Sequence, residues 1–387
     1  MSYARGWAHC TLFVALVTVL LQGCGVPVDE RSQDPVDPSD PGFRSTVQVR
    51  FLGVAGFCIR LGSDVVLTAP LYSNPPLVEE AFALIFPDKA RIDRFHPETR
   101  DVKAILVGHA HYDHLMDVPY VWARTPGARI YGSRTTKNIL ASYSGSAPPD
   151  PRFDTPVPAI PSDRVIALND KLDTRNCGGR IPSRGEAGSE CADYPRQDGE
   201  WETVTSTLRI RALCARHPPQ FLWIHQAPGC VNAPRTRLPV AANDYREGEP
   251  FAYLIDFLRD GRPVFRVYFQ DVPSDGPFGR VPEILFDGER RVDLALLCVG
   301  NWNLVENRDA EKIIGNLKPQ HVMLGHWENF FHDQASALEP APLQPVNEFY
   351  GRVQAELRGI QCPTPPDVVL PAPQLQRNYA IGGGSCR

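Results

Sequence analysis

From Val47 onward the chain is a succession of short apolar and polar runs separated by turn residues. "VQVRFLG" (47–53) alternates with the period of two that a half-buried strand shows. "GFCIRLG" (56–62) and "DVVLTAP" (64–70) follow after small turns, so the three read as a meander. "PLVEEAFALIF" (76–86) changes to helical spacing, with Leu77, Ala81, Phe82 and Ile85 on one face. "VKAILVG" (102–108) is a continuous apolar run of the buried-strand type. "HLMDVPYVWAR" (114–124) reads as a short helix interrupted near Pro119. "ARIYGS" (128–133) is a strand, and "RTTKNILASY" (134–143) a helix with Ser133 as its N-cap.

The second half repeats the style. "STLRIRALCARH" (206–217) alternates clearly and ends in His217. "FAYLIDFL" (251–258) and "PVFRVYFQD" (263–271) form a hairpin around "RDGR". "VDLALLCVG" (292–300) is a buried strand, "NRDAEKIIGNL" (307–317) a helix, and "PQHVMLGHW" (319–327) a strand reaching His326. "QPVNEFYGRVQAEL" (344–357) is a final amphipathic helix. Strand runs with helices between them predict an α/β fold of sheets covered by helices. One domain over 47–361 accommodates all of this. The stretches near 171–200 and 222–250 lack periodicity and read as insertions that serve as lids or substrate loops.

Composition changes this picture only at the ends. The 387 residues are 43% hydrophobic and 22% charged with net charge −5, which is globular and mildly acidic. No run of Lys and Arg marks a nucleic-acid binder, and nucleic acid is excluded as a partner. Residues 1–23 read as an export signal: Arg5 supplies the positive start, and "TLFVALVTVLLQG" is shorter than the roughly 18–20 residues of a membrane span. "LQGC" ending at Cys24 resembles the lipobox of bacterial lipoproteins, with Cys24 the lipid attachment point. That implies a cell-envelope lipoprotein, outer-membrane or periplasm-facing, held to the membrane by its N-terminus. Residues 24–46, rich in Pro, Asp and Ser, read as a disordered tether, and 362–387 as a Pro-rich tail. Without Cys10 and Cys24, eight of the ten cysteines remain. Proximity suggests the pairs Cys177–Cys191, Cys214–Cys230 and Cys362–Cys386, with free buried cysteines as the alternative. Cys58 and Cys298 sit in apolar runs and read as buried thiols.

The chemistry concentrates at "VGHAHYDHLMDV" (107–118), where His109, His111, Asp113 and His114 follow a buried strand directly. On the loop at the end of that strand, imidazole and carboxylate groups can fan out as zinc ligands. One loop rarely surrounds an ion, so the cluster predicts partners at distant strand ends. His217, Asp271 and His326 each end a predicted strand and meet that demand. Their competitors are His225, Asp275, His321 and His332, which fit strand ends less well; His96 reads as a surface residue, and Asp117 as a helix or supporting residue. Tyr112, Trp302 and Trp327 are candidates for substrate contact, with core packing as the alternative; Trp223 is a further pocket candidate.

At this point the sequence resembles the metallo-β-lactamase superfamily, whose H-x-H-x-D-H signature corresponds to His109, His111, Asp113 and His114. The resemblance runs over about residues 47–332. It is nearest to the N-acyl-phosphatidylethanolamine phospholipase D-like and ascorbate-6-phosphate lactonase-like branch, through "VRFLGVAGFCIRLGSDVVLTAPLYSNPPL" and "LGHWENFF". It implies an αββα sandwich with two zinc ions (manganese or iron in some members) at one edge. It places His109, His111 and His217 at one ion, Asp113, His114 and His326 at the other, and Asp271 between them. The implied activity is hydrolysis by a metal-activated hydroxide that Asp113 orients, on phosphodiesters of phospholipid type. Lactones, other esters or amides including β-lactams are alternative substrates, and a non-catalytic metal-stabilised binding module is an alternative of another class. Gln270 and Ala69 stand where related sequences commonly carry Gly and Asp.

Overall fold

Phe251, Tyr253, Ile255 and Phe257 point into one apolar cluster, while Ala252 and Leu254 between them point into another. A strand buried on both faces in this way belongs in the interior of a layered structure. The computed structural model describes residues 25–77, 84–97, 101–145, 153, 157–171, 200–220, 226–274, 278–286, 291–305, 307–382 and 386. Its strands are β1 (Val28–Asp29), β2 (Thr46–Gly53), β3 (Gly56–Leu61), β4 (Asp64–Thr68), β5 (Val102–Leu106), β6 (Arg129–Gly132), β7 (Val165–Ala167) and β8 (Glu202–Thr205). They continue with β9 (Leu208–Cys214), β10 (Phe251–Arg259), β11 (Arg262–Gln270), β12 (Leu294–Cys298), β13 (His321–Gly325), β14 (Asp367–Pro371) and β15 (Gln376–Ala380). The helices are α1 (Lys89–Phe95), α2 (Tyr112–Leu115), α3 (Val118–Arg124), α4 (Arg134–Leu140), α5 (Ile313–Leu317) and α6 (Val346–Leu357).

These form a seven-stranded sheet in the order β15-β2-β3-β4-β5-β6-β7 and an eight-stranded sheet in the order β1-β14-β13-β12-β11-β10-β9-β8. Three apolar clusters set the layers. The middle one joins the facing sides of the two sheets, with Val49, Phe57 and Leu106 from one and Ile210, Tyr253 and Phe269 from the other. The second seats Ile92 of α1, Val121 of α3 and Ile139 of α4 on the outer side of the seven-stranded sheet. The third seats Ile314 of α5 with Val346, Phe349, Val353 and Leu357 of α6 on the outer side of the other. The result is the αββα sandwich.

Local predictions mostly hold. The meander β2–β3–β4 is antiparallel. The β10–β11 hairpin turns through Asp260 and Gly261, both at positive φ, as a tight two-residue turn requires. Ser133 caps α4 by accepting the Thr136 N–H. Three details differ. Pro119 lies in the first turn of α3, where a missing N–H costs nothing, so it starts that helix and does not interrupt one. The stretch 307–317 is shorter as a helix than its pattern suggested, a 3₁₀ turn leading into α5. His96 is half-buried, with its Nδ1 3.2 Å from the Tyr72 hydroxyl.

Both ends of the domain need larger corrections. The supposed tether is fastened to the body: β1 pairs with β14, the Gln33 N–H donates to the Gln376 carbonyl, and Arg377 pairs with Asp29. The supposed tail supplies β14, inside the eight-stranded sheet, and β15, the edge of the other. Proline-rich composition hid both because each short strand gains its order from a remote partner. Cys362 and Cys386 are joined by a disulfide that closes this segment, Cys214 and Cys230 are each disulfide-bonded, and Cys58 and Cys298 are free and buried. Cys24, the export signal, the pair Cys177 and Cys191, Trp223 and most of the predicted helix 76–86 lie outside the described residues.

Candidate metal centre

The chain leaves β5 at Leu106 and reaches Gly108, where an added Cβ would fall 2.2 Å from Asp271 Oδ1. Glycine at this point lets the carboxylate that follows β11 press against the loop that follows β5. The His109 N–H then donates to Asp271 Oδ2 at 3.2 Å. Beyond His111 the loop tightens into α2, one short helical turn, so Asp113 and His114 project from a helix and not from open loop as the sequence suggested. His217 lies just past β9, and His326 just past β13. Gly300, after β12, leaves room for the His326 ring; a Cβ there would sit 3.3 Å from it.

The side chains converge in two groups. His109 Nε2 and His111 Nδ1 are 3.0 Å apart, and the His217 ring lies 4.8 and 5.0 Å, between centroids, from theirs. Asp113 Oδ2 is 3.2 Å from both His114 Nε2 and His326 Nε2. Asp271 lies between the groups, with Oδ1 3.2 Å from His109 Nδ1 and Oδ2 3.5 Å from His114 Nδ1. Ligand atoms of His109, His111 and His217, and of His109, Asp113 and His114, fall within 4.8 Å of one another. His109, His114 and Asp271 are 1% exposed, against 7–9% for His111, Asp113, His217 and His326, so the latter four form the open side.

Supporting contacts set which nitrogens are available. His217 Nδ1 lies 2.6 Å from the Pro218 carbonyl and His111 Nε2 lies 3.1 Å from the Gln226 carbonyl. Each bond fixes a proton on that nitrogen and leaves the other as a lone-pair donor toward the centre. Residues 226–250 are bound to this loop: the Ala110 N–H donates to the Glu247 carbonyl and the Phe251 N–H to the Gly108 carbonyl. Burial pushes His109 well below the ordinary histidine range and His111 and His217 down to about 3, which keeps all three neutral. Burial also opposes the charge on Asp113, but the neighbouring His114 and His326 outweigh it and hold that carboxyl well below its usual range. For His114 burial is again the largest influence, outweighed by Asp113 and Asp271, which raise it. Burial raises Asp271.

The donor set fits a divalent cation. Among the described residues, Asp271 Oδ1 and the Nδ1 atoms of His109, His114 and His326 are buried without a hydrogen bond. Orphaned buried polar atoms are costly, and a cation bound among these side chains would supply the partner that the atoms lining the cluster lack. Neutral imidazoles and carboxylates are the forms that bind zinc.

Other candidates stand elsewhere. His321 pairs with Asp367 and packs on Tyr379, and His332 lies 3.2 Å from Glu339. His225 and Asp275 are outside the described residues. Asp117 is buried beneath α3 and accepts the Tyr72 N–H at 2.6 Å and the Ser73 N–H at 2.9 Å. Trp302 and Trp327 are 1% and 0% exposed and pack in the layer beside α6, the core-packing alternative, while Tyr112, at 8%, packs in the cluster beside α3. Trp302 packs against Phe349 with the rings tilted by 31°, and Trp327 Nε1 donates to the Pro371 carbonyl. Gln270 accepts from the Tyr268 hydroxyl, and Ala69 is buried in the core. The sequence signal for Gly108 was a glycine at a strand end directly before a ligand, whereas Gly300 has no ligand beside it in sequence and meets His326 only in the fold.

No protein-family model and no curated protein matches the chain. Among solved structures it is similar to Igni18, a metallo hydrolase from the archaeon Ignicoccus hospitalis, with 17% identity, 87% of this chain and 99% of that one covered, and a TM-score of 0.43. It is similar to the metallo-β-lactamase fold protein YhfI from Bacillus subtilis, with 11% identity, coverages of 87% and 100%, and a TM-score of 0.42. A putative metal-dependent hydrolase from Parabacteroides distasonis shows 13% identity, coverages of 90% and 100%, and a TM-score of 0.41. At those scores the likeness carries no weight of its own, and the centre stands on its geometry.

Proposed function

We propose that this chain is a two-zinc hydrolase acting on phosphodiesters of phospholipid type, held at the cell envelope by a lipid on Cys24. The observation that carries it is the convergence of two ligand groups with Asp271 between them at the open ends of strands from both sheets. His109, His111 and His217 would hold one ion and Asp113, His114 and His326 the other. When bound, zinc lowers the pKa of a water to about 7 and polarises the oxygen of the bond to be broken. The chain's own part is orientation. Pro218 and Gln226 fix the tautomers of His217 and His111, Gly108 admits the Asp271 carboxylate, and Asp113, on the open side, is placed to orient the attacking water. The choice of phosphodiesters follows the resemblance carried by "VRFLGVAGFCIRLG" and "LGHWENFF".

The test is a panel of chromogenic phosphodiesters, lactones and β-lactams, run on protein whose metal content is measured alongside. Turnover of phosphodiesters with about two zinc per chain is expected. Turnover of lactones alone would replace the substrate class, and no turnover with full metal would leave a binding module.

A further inference from the structure

His326 is the one predicted ligand whose backbone is itself constrained: its φ is +57°, in the left-handed region that residues with a Cβ seldom adopt. The turn swings its ring out of the line of β13 toward Asp113 and His114. Such a conformation persists only where surrounding contacts over-determine it. Here the His326 N–H donates to the Val54 carbonyl at 2.5 Å. Val54, in the turn between β2 and β3, is left-handed too, at φ +54°, although it is β-branched. Its N–H donates to Glu328 Oε1. The path therefore closes on itself, from the Glu328 carboxylate through both hydrogen bonds of Val54 and back to His326, two residues from where it began.

Glu328 is 7% exposed, and its other oxygen, Oε2, is buried without a hydrogen bond among the described residues. A carboxyl buried with one oxygen unsatisfied is costly, so its contacts with the backbone around Val54 must offset that cost. Its neighbours leave little alternative room. A Cβ at Gly53 would touch Glu328 Oε1 at 3.4 Å and collide with the Gln334 side chain at 2.4 Å, and one at Gly325 would meet the Val54 carbonyl at 2.9 Å. The Phe330 ring covers the His326 ring at 5.1 Å between centroids. Because Val54 turns between two strands of the seven-stranded sheet and His326 directly follows a strand of the eight-stranded one, this clasp ties one sheet to the other at the metal-bearing end.

We infer that Glu328 is a positioning residue: by holding Val54, it sets His326 for the ion shared with Asp113 and His114, and leaves the His109–His111–His217 group untouched. The inference rests on the two-group reading of the centre. The acceptor atom, and not the charge, does the holding, so an amide oxygen at the same place should serve.

Zinc titration of the metal-stripped protein, followed by calorimetry, tests this with Glu328→Leu and Glu328→Gln. In Glu328→Leu the second equivalent should bind about 10–100-fold more weakly, as for loss of a ligand-orienting contact, with the first equivalent unchanged. Glu328→Gln should bind both as the parent does. Parent-like binding of both equivalents by Glu328→Leu would overturn the inference, and so would a loss in Glu328→Gln equal to that in Glu328→Leu. If Glu328→Leu does not fold, Glu328→Gln decides alone: intact two-step binding supports the acceptor role and weakened second binding refutes it. A parent that takes up fewer than two equivalents would instead refute the two-ion reading beneath it.

Discussion

Asp256 lies on β10 and Asp271 directly after β11, its neighbour in the same sheet, and both are shut away from solvent. Asp256 is fully paired. Arg266, opposite it on β11, donates from Nε at 2.7 Å and from Nη2 at 3.0 Å, and Arg209, opposite it on β9, donates from Nε at 2.9 Å and from Nη2 at 2.8 Å. The Trp201 ring covers the Arg209 guanidinium at 4.0 Å. Asp271 instead faces imidazoles across 3.2 and 3.5 Å and keeps one oxygen without a hydrogen bond. A charge cluster that satisfies itself is structural, whereas one that leaves donors of lone pairs facing inward is completed from outside. The two clusters, side by side in one sheet, thus separate a staple from a binding site by hydrogen bonding alone.

Breaking each should give different signatures. Asp113→Ala should have the largest effect, lowering hydrolysis by about 10³-fold or more and removing one zinc equivalent, read by turnover and metal content. A variant as active as the parent would take Asp113 out of the chemistry. Next, Asp256→Ala should cost about 3–5 kcal/mol of unfolding free energy in urea, because the buried Arg266 loses the carboxylate it pairs with. Metal content per folded chain should stay unchanged, and a loss of zinc there would merge the two clusters into one. The smallest effect concerns Asp117, whose carboxyl burial pushes up to about 6. Folding then holds its proton more tightly than the unfolded chain does, so its stabilising contribution is full below about pH 4 and is lost as pH rises through about 6. His96, pushed down to about 4 by burial, acts in the opposite sense. The difference between parent and Asp117→Asn isolates the carboxyl. Thermal melts should favour the variant increasingly from pH 4 to 6, and parallel curves would mean that Asp117 titrates normally.

What was legible in the sequence was whatever depends on neighbours along the chain. The turn residues of "RDGR" named the hairpin of β10 and β11, Ser133 named a helix start, and the ligand types after β9, β11 and β13 named the ends that converge. Direction and register were not legible. Trp327 adjoins a ligand in sequence, yet the left-handed turn at His326 sends its indole into the opposite layer. Asp256, Arg209 and Arg266 are partners only because two register alignments set them opposite one another. Val28 and Leu370 pair across almost the whole chain, and neither flanking sequence announces the other.

The placing of β14 and β15 has a consequence in time. A chain synthesised from its N-terminus presents every predicted metal ligand, His326 included, before residue 367 exists. Until then β1 has no partner and the edge of β2 lies bare. Order of manufacture and order of closure are thus opposed: the oldest strand waits for nearly the youngest. A stop codon a few dozen residues early would yield a polypeptide with its chemistry encoded in full and two open edges, which is a product for aggregation or degradation and not for catalysis.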